Sequence, residues 1–240
     1  MVTPIPLTGL AIALDVGRRS HIALVGGGGK TTLLHALGGQ LRGRVVLTTT
    51  TKMGADQHDG RRVLLDPTDD EVVAAADTAP VVVWARVDGG KAIGVDPARC
   101  DTWFAATDHV VVEADGSRGR PFKAPNELEP VVPSTSTLML AVVGADALGR
   151  VIADQCHRPL RVAALAGCRP GQRLDPELAA RVILHERGLT RTRPSGSELT
   201  IAITKVDDRT GPLVDRLVDA LRVLDPAVRV LAIAALTADR

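Results

Sequence analysis

The 240-residue chain predicts a three-layer α/β fold with a mostly parallel central sheet. Three observations carry this. Short apolar runs of strand length alternate with stretches whose leucines and valines recur at helical spacing. A run of four glycines, Gly26 to Gly29, separates the first such strand from the first long helix. The connection onward to the next apolar run is long enough for a crossover, which makes the two strands parallel and the connection right-handed. Hydrophobic residues form 45% of the chain, and with no Tyr, two Phe and two Trp the core has to be built from Val, Leu, Ala and Ile.

In chain order, residues 7–16 predict a short helix, 22–25 a buried strand, and 31–41 a helix with Leu33, Leu34, Leu37 and Leu41 on one face. Gly43 ends that unit and 45–47 is a second strand. Residues 63–65 read as a third strand. Thr68 followed by Glu71 is a capping box that opens a helix to about Asp77. Asp88-Gly89-Gly90 reads as a hairpin turn, so 81–87 and 91–95 are expected to pair antiparallel. A helix over 97–106 and a strand over 110–112 follow, then a loop rich in Pro and charge over 117–133 and a strand over 138–143. Residues 144–196 read as mostly helical, with Asp175-Pro176 a helix start and Gly188 a stop. A strand over 199–203, an amphipathic helix running from Leu213 to Leu224 and a strand over 228–234 complete the chain. The expected organisation is one domain over 1–240 with a helical insert at about 144–196.

Charge is balanced, 29 basic against 28 acidic residues, so nothing global points to nucleic acid or a charged membrane surface. The scarcity of aromatics removes the stacking platforms that single-stranded nucleic-acid binding needs. No run of about 18 apolar residues suggests a membrane span. The N-terminus lacks a charged segment before its apolar stretch, and Cys100, Cys156 and Cys168 have no C-x-x-C spacing. Together these predict a cytoplasmic protein without a signal peptide. Cys156-His157 lacks further ligands at zinc spacing, which argues against a metal site there.

The glycine run carries the chemistry. Strand, glycine loop, Lys30, Thr31 and helix are the layout of a phosphate-binding loop, and they make the expected fold P-loop NTPase-like. Glycines let backbone N–H groups close around a phosphate, and the helix dipole favours an anion. Gly26, Gly27, Gly28, Gly29, Lys30, Thr31 and Thr32 are therefore the nucleotide-binding candidates, with Lys30 on the terminal phosphates and the Thr31 hydroxyl on Mg²⁺. The full pattern has a glycine at position 24, where this chain has Leu24.

Ligands in parallel α/β sheets gather at the carboxyl ends of strands. After the second strand stand four threonines, Thr48 to Thr51, and Lys52. Thr50 and Lys52 are candidates for a second ligand or a partner. After the 110–112 strand come Glu113 and Asp115, either of which suits Mg²⁺. Next, Arg118, Arg120 and Lys123 form a basic loop. It either clamps an anionic substrate, with Arg118 as an internal arginine finger, or is a solvated loop pairing with Glu127 and Glu129. Lys30, Glu113, Asp115 and Arg118 are thus the catalytic candidates. Thr204-Lys205-Val206-Asp207 matches the [NT]-K-x-D pattern of guanine-binding proteins, in which the Asp carboxylate accepts from guanine and the Lys stem lies over the base.

Three blocks together resemble the YqeC-like family: residues 25–32, 47–52 and 113–125, the last continued through 127–133. The resemblance runs from about residue 20 to the C-terminal strand. The third block is its most specific part, since no general nucleotide-binding pattern requires it. That family is named for an accessory role toward selenium-dependent molybdenum hydroxylases. The resemblance implies a molybdenum hydroxylase, or the proteins that handle its cofactor, as partner. It also favours a functional role for the loop from Arg118 to Lys123. More distantly, the chain is similar to the P-loop class of metallochaperone GTPases and dethiobiotin synthetase, whose members often dimerise, and this implies a homodimer. Val25 stands where some of those proteins carry an extra lysine, and a Cys/His metal-handling motif is missing. The expected function is a Mg²⁺-dependent slow GTPase acting as an accessory factor, with ATP as the alternative nucleotide. The alternatives are a transferase or ligase acting on a small anionic substrate or cofactor, and a nucleotide-gated carrier or insertion module.

Overall fold

The computed structural model of the chain describes residues 2–236; Met1 and residues 237–240, which the single-domain expectation includes, lie outside the described residues. Its elements are α1 (Leu10–Ala13), β1 (Ser20–Gly26), α2 (Lys30–Gln40), β2 (Val45–Thr49), β3 (Lys52–Gly54), β4 (Val63–Leu65) and α3 (Asp69–Ala76). There follow β5 (Val81–Trp84), β6 (Arg86–Asp88), β7 (Lys91–Ile93), α4 (Pro97–Ala106), β8 (His109–Glu113), β9 (Phe122–Lys123) and β10 (Leu138–Gly144). The chain ends with α5 (Ile152–Gln155), β11 (Cys156–His157), α6 (Pro159–Ala166), α7 (Pro176–Leu184), β12 (Glu198–Val206), α8 (Gly211–Leu224) and β13 (Arg229–Ala234).

The central sheet has eight strands in the order β13-β12-β10-β1-β8-β2-β5-β4, and every neighbouring pair is parallel. Its inner strands are apolar on both faces because helices cover both. Val110 and Val112 join one buried cluster with residues of α3, α4, α7 and α8. Val111, between them, joins the other with α1 and α2. This is the three-layer arrangement the alternation predicts. β1 lies where the chain reverses its course across the sheet: β2, β5 and β4 lie to one side, β10, β12 and β13 to the other. The crevice beyond the carboxyl end of such a strand is where ligands bind in open α/β sheets.

Local signals hold where they are strong. Thr68 and Glu71 form the reciprocal capping box ahead of α3, an N-cap worth about 1 kcal/mol. Asp175 caps α7, with Pro176 at its first position. Two expectations are corrected. Residues 81–84 are not half of a hairpin: all four are buried in the central sheet between β2 and β4. The antiparallel turn instead joins β6 to β7, and β3 pairs on the far side of β7 to make a small three-stranded sheet. The 144–196 segment is only partly helical: α5, α6 and α7 are short and joined by turns, and β11 within it pairs with β9. Pro159, Gly167, Pro170, Gly171 and Pro176 break it up. Among the described residues no helix is long and apolar enough to cross a membrane.

Candidate functional site

β1 ends at Gly26 and α2 begins at Lys30, so three glycines make the whole turn. They are required for two different reasons. Gly29, the N-cap, sits at φ +111°, in the left-handed region. Gly27 and Gly28 are hemmed in by backbone. A Cβ on Gly28 would lie 2.3 Å from the Gly144 nitrogen, and one on Gly27 2.6 Å from the Arg120 carbonyl oxygen.

The loop is tied down along its length. The Gly26 N–H donates to Asp115 Oδ1 and Oδ2 at 3.0 and 2.9 Å. The Gly27 N–H donates to the Val142 carbonyl at 2.9 Å and the Gly28 N–H to that of Arg120 at 3.2 Å. From the end of β12, the buried Thr204 hydroxyl donates to the Gly28 carbonyl. These three amides are engaged within the protein, which corrects the expected cradle of Gly26, Gly27 and Gly28. The outward-facing donors lie one step further along. Hydrogen bonding in α2 begins with the Leu33 N–H donating to the Gly29 carbonyl. The N–H groups of Gly29, Lys30, Thr31 and Thr32 therefore have no partner inside the helix, at its positive end and without a side-chain cap.

Lys30 is buried. Its Nζ donates to the Gly26 carbonyl at 2.6 Å and lies 3.2 Å from Asp115 Oδ1 and 3.7 Å from Glu113 Oε1. Burial opposes its charge, but Asp115 and Glu113 outweigh burial and hold its pKa above the ordinary value.

The two carboxylates left open by the sequence separate here. Glu113, the last residue of β8, accepts the Thr31 hydroxyl at 2.8 Å and lines the cleft. Burial raises its pKa, offset only in part by Lys30 and Thr31. Asp115 is completely buried between Lys30 and Lys123, with its oxygens on the Gly26 N–H. It anchors the loop and does not line the cleft, which corrects its place among the metal and catalytic candidates. Thr31 and Glu113, two hard oxygen donors side by side, fit the few protein ligands Mg²⁺ takes when phosphates complete its shell.

The basic loop divides in the same way. Lys123 is fully buried. Its Nζ lies 3.0 Å from Asp115 Oδ2 and donates to Glu129 Oε2 and the Gly116 carbonyl, both at 2.7 Å. Glu129 in turn takes two bonds from Arg158, at 2.7 and 3.2 Å. Burial opposes the Glu129 charge, yet Arg158 and Lys123 keep its pKa below the usual range. Lys123 is thus structural, a correction to its place as a ligand-facing cation. Arg120 donates to the Asp154 carbonyl, and Arg118 is exposed at φ +51°. Neither pairs with Glu127 or Glu129; Glu127 faces Arg161 and Arg187.

The threonines are also largely committed. Thr48 donates to the Val83 carbonyl at 2.6 Å, Thr49 to that of Glu113 at 2.8 Å and Thr50 to that of Val131 at 2.7 Å. Thr50 lines the cleft, with its hydroxyl proton given to the Val131 carbonyl. Lys52 is exposed and lines the cleft. Lys205 lines the cleft too, with its Nζ 2.7 Å from Asp146 Oδ2. Asp207 lies outside the lining, its Oδ1 accepting the N–H groups of Arg209 and Thr210 and the Thr210 hydroxyl ahead of α8.

All of this opens on one cleft of about 1470 Å³. Seven Lys and Arg residues line it against two carboxylates, Glu113 and Glu129. Sequence reasoning missed several of its residues. Lys91 follows the glycine turn and could be placed from the hairpin register. Gln57 and Arg158 carry no motif, and His157 stands in a Cys-His pair whose spacing points only to a metal. Burial, then the charges of Arg158, Lys123 and Arg118, pull the His157 pKa down to about 4.

A family model described as YqeC protein matches residues 22–160. Among curated proteins, YqeC of Escherichia coli (strain K12) is 34% identical over 200 residues, covering 78% of this chain and 77% of that protein. Among solved structures, the crystal structure of hydrogenase maturation factor HypB from Archaeoglobus fulgidus is similar with a TM-score of 0.40 at 13% identity, covering 95% of this chain and 88% of that chain.

Proposed function

This chain belongs to the YqeC family, and from that membership and the geometry of its glycine loop we propose that it binds a Mg²⁺-nucleotide, acts as a slow GTPase and serves as an accessory factor in maturing a molybdenum hydroxylase. The observation that carries the nucleotide reading is the Thr31 hydroxyl on Glu113 at 2.8 Å, at the uncapped N-terminus of α2, with Lys30 buried beside it. In this reading the amides of Gly29 to Thr32 receive phosphate oxygens, and Lys30 exchanges the Gly26 carbonyl for a phosphate. Thr31 and Glu113 would hold Mg²⁺, which neutralises charge on the terminal phosphates. Lys205 at the cleft wall, together with Thr204 bonded to the glycine loop, supports a base site at the end of β12; the guanine preference rests on the Thr204–Asp207 sequence pattern. Slow turnover is supported by Gln57, which lines the cleft but commits its Oε1 to the Gly54 N–H at 2.9 Å. The accessory role is supported by the family's signature blocks.

Calorimetric titration with GDP and ADP, with and without Mg²⁺, tests the reading. GDP is expected to bind in the micromolar range with ADP at least about tenfold weaker, roughly 1.4 kcal/mol. Equal affinities overturn the guanine assignment, and unchanged affinity in Lys30→Ala overturns the loop assignment. The breadth of the cleft favours a second reading, in which the nucleotide is used on a small anionic substrate by a transferase or ligase. Phosphate appearing on such a compound rather than free in solution distinguishes it.

A further inference from the structure

The cleft holds more room and more positive charge than one nucleotide uses. Ligand pockets typically enclose about 300–1,000 Å³, and this cleft encloses about 1470 Å³. A magnesium-bound triphosphate brings about two net negative charges. Of the seven cations lining the cleft, Lys30, Arg158 and Lys205 have carboxylate partners. Among the described residues no ion pair forms at Lys52, Lys91, Arg118 or Arg120, the last bonded only to a carbonyl.

Two of these four are set by strand register. In the β3–β7 pair, Lys52 stands opposite Ile93, Met53 opposite Ala92 and Gly54 opposite Lys91. Side chains alternate between faces, so Lys52 and Lys91 share one face while Met53 and Ala92 turn to the other. The burial agrees: Met53 and Ala92 are buried, whereas Lys52 and Lys91 are exposed; both lysines line the cleft, as does the edge of Met53 between them. Diagonal neighbours of this kind lie about 7–8 Å apart, and Gly54, directly opposite Lys91, adds no side chain to that face. Arg118 and Arg120 reach the same cleft from the segment that crosses the glycine loop.

We propose that the Lys52–Lys91 face, with Arg118 and Arg120, is a second anion site that takes the phosphate of a small phosphomonoester in the same cleft as the nucleotide. The proposal rests on the nucleotide reading for what fills the α2 end. It keeps Lys52 and Arg120 from the sequence expectation and replaces Thr50 and Lys123 by Lys91 and Arg118. No Phe or Trp lines the cleft, so base stacking, and with it single-stranded nucleic acid, is not what the site is built for.

The test is calorimetry on the full chain saturated with Mg²⁺ and a non-hydrolysable GTP analogue, titrated with phenyl phosphate. Binding at one equivalent is expected, weakening with added salt. In Lys52→Gln/Lys91→Gln it falls at least about tenfold, while affinity for the analogue stays within about twofold. Both lysines are exposed, so the variant keeps its fold. No binding of phenyl phosphate to the saturated chain overturns the proposal, as does equal binding by the variant. A variant that loses the analogue instead shows the lysines clamping the triphosphate, and this also overturns it. If the analogue does not bind the unaltered chain, the nucleotide reading fails by itself, and the free chain is titrated. Binding sensitive to the two lysines then supports the second site. Binding sensitive only to Lys30→Ala places the phosphate on the glycine loop and overturns the proposal.

Discussion

Replacing Lys123 by Met removes the central cation of a row of alternating charges, buried at its inner end and half-buried at its outer one, that runs Glu113, Lys30, Asp115, Lys123, Glu129, Arg158. The lysine makes contacts of 3.0 Å to Asp115 and 2.7 Å to Glu129, and its side chain is inaccessible to water. Removing one partner of a buried ion pair costs about 3–5 kcal/mol, because the charge left behind is neither hydrated nor compensated. Here each carboxylate keeps another partner. Asp115 retains Lys30 and the Gly26 N–H, and Glu129 retains Arg158. The cost therefore sits at the lower end, about 3 kcal/mol. In a chain of this size about 1 kcal/mol moves the melting temperature by about 2–4 °C, so the expected drop is about 6–12 °C. Methionine preserves most of the stem volume, which isolates the charge. Thermal unfolding followed by circular dichroism reads the effect. A drop under about 2 °C, accompanied by a large loss of ligand affinity, would mean that Lys123 serves a ligand and that the structural argument fails.

Further outcomes follow from the same geometry. Gly28→Ala should cost about 1–3 kcal/mol from overpacking alone, since the new Cβ meets the backbone of Gly144 at 2.3 Å and nothing there can swing aside. Gly119→Ala shares the positive φ but meets open space, so only the left-handed strain of about 1–2 kcal/mol applies. Equal melting temperatures of the two variants, with intact nucleotide affinity in both, would count against the packing argument. Glu113→Gln should lose the Mg²⁺ dependence of nucleotide binding and change how stability varies with pH. Burial raises the folded pKa of Glu113 above its unfolded value, so the native state keeps a proton that the unfolded state has lost. Its contribution to stability therefore declines as pH rises from the ordinary carboxylate value through the folded pKa. Denaturant midpoints taken from about pH 4 to pH 8 should show a shallower decline in the variant; superimposable profiles would refute this.

Most of the fold was legible because its signals are local. The capping box at Thr68 and Glu71, the Asp96-Pro97 start of α4 and the apolar runs of β1, β8 and β10 each depend on a few neighbouring residues. The hairpin was misplaced because the Asp88-Gly89-Gly90 turn does not say how far the strand before it reaches, and the break that puts Val81–Trp84 in the central sheet and Arg86–Asp88 in the small one shows only in the fold. In the site, Lys30 and Thr31 could be read from their place after the glycines. Lys123 could not. In a segment with Arg118 and Arg120 it has the look of a solvated cation, and only the fold brings Asp115 and Glu129 around it. The choice between Glu113 and Asp115 was equally invisible. Alternation along an extended strand does not separate residues two apart, and what divides them is the Thr31 hydroxyl on one and the Gly26 N–H on the other.

The hydrogen bonds that shape the glycine turn also fix when it can form. Its partners come late in the chain: Asp115 lies 89 residues after Gly26, and Thr204 176 residues after Gly28. Between them come Arg120 and Val142, each holding one more glycine amide. Contacts closed over such separations form late, because the entropy of ordering the intervening chain has to be met first. The stretch richest in motif is thus the least able to take its shape alone. A growing chain acquires this loop shape only after β8, β10 and β12 are in place, and an isolated β1–α2 fragment carries the glycines without the turn they make.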